Sequence, residues 1–445
     1  MPQSPVSANG QSREEGEGYC AHQDDACLSS CPIFFERPPG SDNVVGNITP
    51  AGLNFIARHR YKPAEYTHLD NLLNPVWTSL TELLPMWLAP NMVTTLGGLH
   101  CAVAYGVLWH YSPDMDASPP DWAVLLAGWC TIVYYTLDCM DGKQARRTGS
   151  SSPLGQLFDH GFDCMCTIFL MSTVASYLMI GGTYWYLMLQ TTLQFAFFMA
   201  QWEEYHTHVL PHCTGKWLGV TEVNYFMGSL TTFNSFIDRE AAYLRPMRAV
   251  LAPLAKYCNF EKTLPAEMLD MEARHFYLSI WAVISTVLMT LSVIRVLNHA
   301  NIAGAKLSPA DVMKRRRNAL LKLVTPAALC AAMFFVPTSA VRTRYVSVAF
   351  GLAISLLTKK MIVFSMAKMP YAVVQWDAIP FLGAALWIKY DGRLTREGAD
   401  FVLGTVCVWY AFRVLRWGNV TINQICEKLD IYCFSIKHKK GAKSE

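Results

Sequence analysis

Residues 121–180 read DWAVLLAGWCTIVYYTLDCMDGKQARRTGSSSPLGQLFDHGFDCMCTIFLMSTVASYLMI. Two apolar runs, each near the length needed to cross a bilayer, flank a charged, glycine-bearing hinge. Four carboxylates, Asp138, Asp141, Asp159 and Asp163, fall within 26 residues at the edges of those runs. An ionisable group at membrane depth is costly, so each acid is a candidate functional group.

Outward from this stretch the same pattern repeats. Apolar segments of near-spanning length fall at 88–111, 121–138, 154–181, 183–202, 217–236, 276–297, 318–337, 345–364, 373–389 and 399–418. The expected fold is an all-α polytopic membrane protein with about ten transmembrane helices and an amphipathic N-terminal interfacial helix. That helix is expected within 51–87, where Tyr61, Lys62, Pro63 and the run from Asn74 to Trp77 mix aromatic, charged and polar residues. Residues 1–50 read as a disordered polar tail. The catalytic helices are expected over 88–236, an extramembrane loop over 237–275, further membrane helices over 276–418, and a basic tail over 419–445.

Composition agrees. Of 445 residues, 52% are hydrophobic and 16% charged, against about 25% charged in ordinary soluble domains. A net charge of +3 is too small to suggest a nucleic-acid partner. The 14 cysteines are scattered. Cys20, Cys27 and Cys31 lack a metal-finger spacing, and Cys139, Cys164 and Cys166 lie in or beside apolar segments, so free thiols are expected. The first 31 residues carry Glu14, Glu15 and Glu17 and no apolar run, so no cleavable signal peptide is expected and insertion falls to internal segments.

Ten spans place both termini on one side, and the positive-inside rule makes that side cytosolic. The supporting cations are Lys143, Arg146 and Arg147 after the second span, Lys314 to Arg317 after the sixth, and Lys437, Lys439 and Lys440 in the tail. The first interspan loop is acidic, with Asp114, Asp116 and Asp121. The loop at 237–275 dissents, carrying Lys and Arg on the far side together with many acids.

Spacing brings the acids together. Asp138 and Asp141 share a helix face, as do Asp159 and Asp163. Two such pairs on consecutive antiparallel helices can converge, and uncompensated they would repel strongly. Oxygen-only ligands point to a hard divalent cation, Mg²⁺, Mn²⁺ or Ca²⁺, and four acids could hold two. Paired ions polarise a phosphoryl group. Gly142, Ala145 and Gly155 leave room for a bulky phosphate ligand. Arg146 can hold phosphate bidentately, and Lys143 offers a point charge. The competing structural account is a salt-bridge network with Lys143, Arg146 and Arg147, which leaves one acid without a partner. The cluster Gln201 to His206 with His208 reads as an interfacial polar and aromatic belt.

The pattern D-x-x-D-G-x-x-A-R, eight residues, G-x-x-x-D-x-x-x-D, running from Asp138 to Asp163, resembles the signature of the CDP-alcohol phosphotransferase family at every fixed position. The longer strings from Asp141 to Thr148, Ser151 to Gly155 and Phe158 to Gly161 look like the eukaryotic choline/ethanolamine branch. The resemblance extends over about 55–437 but is strong only at the motif, with echoes at Pro90-Asn91 and Thr221-Glu222-Val223.

The resemblance implies transfer of phosphocholine or phosphoethanolamine from CDP-choline or CDP-ethanolamine to diacylglycerol, with release of CMP and dependence on Mg²⁺ or Mn²⁺. It implies that Asp138, Asp141, Asp159 and Asp163 ligate the metals that hold the donor pyrophosphate. It assigns His160 as general base, a role that suits an imidazole beside a metal ligand, with support of Asp159 as the alternative. It implies that Glu222 orients His160 and that Asn91 contacts the donor; a surface acid and a helix cap are the plainer readings of these two. Gln156 stands where relatives often have Glu near the cytidine, and Phe162 is bulkier than the small residue common there, which would narrow the pocket. The expected location is an integral membrane, the endoplasmic reticulum with the Golgi as the alternative, with the active site facing the cytosol. The later spans are expected to form an acceptor chamber or a homodimer surface. Competing accounts are an inositol-type CDP-alcohol transferase and a metal or solute transporter; no internal repeat supports the latter.

Overall fold

In a computed structural model, residues 34–35, 46–60, 66–254 and 263–437 are described. Most of the polar tail, with Cys20, Cys27, Cys31 and its glutamates, lies outside them, as do Tyr61, Lys62, Pro63, Lys439 and Lys440. Among the described residues the only named strands are two residues each, β1 (Cys213–Thr214) antiparallel to β2 (Leu218–Gly219). The rest of the architecture is helical, so the all-α class expected from the apolar segments holds.

Among the described residues, two helices precede the bundle. Helix α1 (Pro50–Arg58) starts behind Thr49, whose hydroxyl accepts the Gly52 N–H at 3.0 Å. Helix α2 (His68–Glu82) starts with a reciprocal cap: Asp70 N–H donates to Thr67 Oγ1, and Thr67 N–H donates to Asp70 Oδ2. Among the described residues, the 51–87 segment therefore holds two helices rather than the one expected. The expected structureless tail also stops short of residue 50: the Asn47 amide donates to Trp417 O and Thr421 Oγ1, each at 2.9 Å, and Ile48 is buried.

The bundle follows as α3 (Pro90–Tyr111), α4 (Asp121–Arg147), α5 (Pro153–Leu178), α6 (Tyr184–Thr207), α7 (Val220–Phe233), α8 (Ala273–Asn298), α9 (Pro309–Leu321), α10 (Val324–Phe335), α11 (Thr343–Met366), α12 (Ile379–Tyr390) and α13 (Arg396–Leu429). Each of the ten apolar segments falls on a helix. Among the described residues, seven units are long and apolar enough to cross a membrane: α3, α4, α5, α8, the joined α9–α10, α11 and α13. The count of ten is therefore not confirmed. Helix α7, with 14 residues, and α12, with 12, fall short; at 1.5 Å per residue they rise about 21 and 18 Å, against a hydrocarbon core of about 30 Å. Helix α6 has the length, but its glutamines and two glutamates lower its apolarity.

Helices α3, α4, α5 and α7 pack as one group, with α4 against α3 and α7. Helix α11 is the central post, buried along nearly its whole length against α5, α6 and α13. Helices α8 and α13 leave apolar side chains such as Val283, Ile294, Phe401, Val408 and Leu415 exposed, as a lipid-facing surface does.

Two boundaries differ from expectation. Helix α4 does not end at 138 but runs on to Arg147, because Lys143, Gln144, Ala145, Arg146 and Arg147 are strong helix formers and the cations suit a helix C-terminus. It stops at Gly149, whose φ of +63° lets Ser150 N–H reach back to Ala145 O at 2.9 Å. Ser152 and Pro153 then begin α5, so the hinge is a tight antiparallel turn. Likewise α13 extends to Leu429, so the C-terminal tail begins about ten residues later than expected.

Three arginines of the dissenting loop, 237–275, are paired with acids, two of them within the loop and one with the start of α4. Arg239 is buried and pairs with Asp121 at 2.8 Å, Arg248 pairs with Asp270 at 3.1 Å, and Arg274 pairs with Glu272 at 2.6 Å.

Candidate functional site

Because α4 is unbroken through 147, five candidate residues form one stripe on it. At 3.6 residues per turn, Asp138, Asp141, Gly142, Ala145 and Arg146 lie within an arc of about 140°. Gly155, Gln156, Asp159, His160 and Asp163 form a matching stripe on α5. The turn at 148–152 sets these stripes against each other.

The acids converge as the spacing predicts. Ligand atoms of Asp138, Asp141 and Asp159 lie within 4.8 Å of one another, and so do those of Asp159, His160 and Asp163. Asp159 belongs to both groups. His160 Nδ1 lies 3.8 Å from Asp159 Oδ2 and 4.0 Å from Asp163 Oδ2. Neutral donors hold the outer two carboxylates: Thr94 donates to Asp141 Oδ2, and Tyr134 donates to Asp163 Oδ1 at 2.6 Å. Asp138 Oδ1 and Asp159 Oδ1 are buried with no hydrogen-bond donor among the described residues. Two orphaned carboxylate oxygens facing a cluster of acids are what a bound cation satisfies, so the donor set fits a hard divalent ion.

The salt-bridge alternative fails. Among the described residues no Lys or Arg pairs with any of the four acids. Lys143 instead donates to Asn74 and, at 3.1 Å, to Thr78 of α2. Arg147 caps the C-terminal carbonyls of α2, at 2.7 Å to Leu84 O and 3.1 Å to Thr81 O. These two cations fasten α2 to the end of α4. Arg146 is exposed and lies back over Gly142: a Cβ there would sit 3.6 Å from its Nη1. Gly155 has open space where a Cβ would be.

The remaining candidates are spread around this centre. Asn91, at the start of α3, is buried and donates to Cys433 O at 2.9 Å. Gln156 bridges α1 and α6: its Oε1 is 2.9 Å from His59 Nε2, and its amide donates to Glu204 Oε1 at 3.2 Å. Glu222 sits in the first turn of α7, where its Oε2 accepts the Gly219 N–H at 2.8 Å. Phe162 lies on the α3 side of α5. Its ring lies against α3 at Gly98, where a Cβ would collide with it.

Several residues here carry no motif signal. Thr94 and Tyr134 follow helical spacing from Asn91 and Asp138, and that spacing was the available clue. The end of α6 is not an interfacial belt: Trp202 and His206 are buried, and buried Glu203 pairs with Arg295 at 2.6 Å. Glu204, also buried, faces Gln156 and lies within electrostatic reach of His160. His212, in the loop after α6, has its ring 6.2 Å from that of His160. Burial, aided by the nearby His160 charge and opposed by Asp70, pushes the His212 imidazole down to about 4.

Comparisons with known proteins converge on this region. Residues 87–251 match the family model described as CDP-alcohol phosphatidyltransferase. The chain is 28% identical over 413 residues to choline/ethanolaminephosphotransferase 1 of Arabidopsis thaliana, covering 89% of this chain and 100% of the relative. It is 26% identical over 404 residues to cholinephosphotransferase 1 of Saccharomyces cerevisiae, covering 88% of this chain and 98% of the relative. Identity rises to 39% over 178 residues with human cholinephosphotransferase 1, covering 40% of this chain and 43% of the relative.

Proposed function

We propose that this chain is a CDP-alcohol phosphotransferase that transfers phosphocholine or phosphoethanolamine from the CDP-alcohol to diacylglycerol, releasing CMP, as its similarity to the family model and to the choline/ethanolaminephosphotransferases supports. The observation that carries this reading is the convergence of Asp138, Asp141, Asp159 and Asp163, two of them with orphaned buried oxygens, beside His160.

Asp138, Asp141, Asp159 and Asp163 would hold two ions, Mg²⁺ or Mn²⁺, with Asp159 shared. When bound, the ions supply charge neutralisation and polarise the phosphoryl oxygens. The rest of the work belongs to the chain. Arg146, exposed above Gly142 and free of acid partners among the described residues, takes a phosphate oxygen bidentately. Ala145 and Gly155 leave room for the donor, while Asn91 and Gln156 contact its nucleotide end. His160 removes the proton of the diacylglycerol hydroxyl as that oxygen attacks phosphorus in line, and Glu222 steadies the imidazole. No phospho-enzyme is required.

The donor is water-soluble and the acceptor is a lipid, so the site must meet both phases. The acid stripes lie at the C-terminal end of α4, which carries Lys143, Arg146 and Arg147, and at the adjoining start of α5, which supports a site facing the cytosol. We place the protein in the endoplasmic reticulum, with the Golgi as the other candidate, and assign the exposed faces of α8 and α13 to lipid or to a second copy.

The test is formation of labelled phospholipid by purified protein given diacylglycerol and either CDP-choline or CDP-ethanolamine. Product with either donor is expected, and the ratio names the head group. No product with either, from folded and lipid-supplied protein, would refute the assignment.

A further inference from the structure

The chain beyond α13 is built into the edge of the donor site. Helix α13 ends at Asp430, a left-handed residue, after which Ile431 N–H reaches back to Cys426 O at 3.1 Å and the chain reverses. Residues 431–437 then form a strap across the starts of α3 and α5. Ile431 and Cys433 pack on the apolar layer of Leu154, Leu157 and Trp417. Phe434 meets Phe158 edge-on, with ring centres 5.5 Å apart at 87°, and Phe158 is the residue before Asp159. Phe158 in turn stacks on Phe162 at 5.8 Å. Lys437 folds back onto Asp430 in an ion pair of 2.5 Å.

One bond ties this strap to the site. Asn91 Nδ2 donates to Cys433 O at 2.9 Å, and Asn91 is only 7% exposed. The next turn of α3 carries Thr94, which donates to the candidate ligand Asp141. A carboxamide has a donor end and an acceptor end. The Cys433 carbonyl holds the donor end, and no described residue donates to Asn91 Oδ1. The strap thereby decides which way the amide faces.

We propose that residues 431–437 are a positioning element of the donor site: the Cys433 carbonyl turns Asn91 so that its oxygen meets an N–H of the donor, and Phe434 locks that arrangement against α5. The inference rests on the reading of Asn91 as a donor contact. It accounts for a backbone carbonyl being brought across 342 residues of sequence to a side chain at a helix start.

Four proteins test it: the chain shortened after Asp430, Phe434→Ala in the full chain, Asn91→Ala, and Asn91→Ala in the shortened chain. KM for the CDP-alcohol, KM for diacylglycerol, kcat and melting temperature are measured for each. Shortening and Phe434→Ala are each expected to raise the donor KM about tenfold, equivalent to ~1.4 kcal/mol, with diacylglycerol KM within about twofold. Shortening should add nothing to Asn91→Ala, because the strap acts through that residue. If Asn91→Ala leaves the donor KM unchanged, the reading of Asn91 fails, and the strap's role with it. If Asn91→Ala raises the donor KM but the strap variants leave it unchanged, lower it, or add their full effect to Asn91→Ala, the strap inference alone fails. Should the shortened chain not fold, Phe434→Ala decides between these outcomes.

Discussion

Tyr134 donates its phenolic hydrogen to Asp163 Oδ1 over 2.6 Å, joining α4 to α5 one turn before Asp138. The bond leaves Asp163 one oxygen committed and one turned toward His160. A buried hydrogen bond to a charged group contributes about 1.5–3 kcal/mol. Tyr134→Phe should therefore lower kcat roughly tenfold or more by loosening that carboxylate, while the protein still purifies folded. CMP release and a melting curve on the same preparation check this; an unchanged kcat would mean that Asp163 is oriented without the tyrosine.

Gly98 is small because Phe162 occupies the space beside it. Gly98→Ala forces the ring out of place or spreads α3 from α5, an overpacking that costs about 1–3 kcal/mol. The melting temperature in detergent should fall, and Phe162→Leu in the same chain should restore much of the loss. A Gly98→Ala protein as stable as the parent would contradict the packing described for α3 and α5.

The Gln156 amide donates to Glu204 Oε1 at 3.2 Å, so the neutral side chain suits the acid beside it. Gln156→Glu would set a half-buried carboxylate against the buried Glu204. It should raise the donor KM and lower stability. The combination with Glu204→Gln should recover both, since one donor and one acid are then present again. No recovery would show that Gln156 acts independently of Glu204.

How far the residues themselves announce this arrangement differs from place to place. The convergence of Asp138, Asp141, Asp159 and Asp163 follows from spacings of three and four on two helices joined by a short hinge, so it is legible without coordinates. The helical class follows from apolar segment length in the same way. The continuation of α4 to Arg147 is masked in the sequence because a charged stretch beside an apolar run resembles a loop, although the five residues after Gly142 favour helix. The number of spans is less legible, since α7 and α12 are apolar but short. Least legible are bonds between distant parts of the chain. Asn47 to Trp417 and Asn91 to Cys433 depend on where α13 ends and on what it packs against, and no local pattern encodes either. The buried end of α6 misleads for a related reason: Glu203 is tolerated inside because Arg295 and Ser292, on another helix, meet it.

Orphaned oxygens on Asp138 and Asp159 lead to a prediction about ions. Stripping divalent cations with a chelator should abolish CMP release, and adding Mg²⁺ or Mn²⁺ should restore it. Asp159→Asn, which removes a ligand shared by both groups, should cost more activity than Asp141→Asn at saturating ion. Chelator-resistant release would exclude the proposed role of the acids.

The central claim is that His160, set between two carboxylates at the convergence of α4 and α5, removes the proton of the attacking lipid hydroxyl. The direct measurement is CMP release by purified protein with diacylglycerol, Mg²⁺ and the preferred CDP-alcohol, for the parent, His160→Ala and Asp163→Asn, with binding of the donor followed in parallel. A general base contributes about 10²–10⁴-fold, so His160→Ala should lose at least a hundredfold in kcat while still binding the donor. Release by His160→Ala at a rate near the parent's would contradict the account.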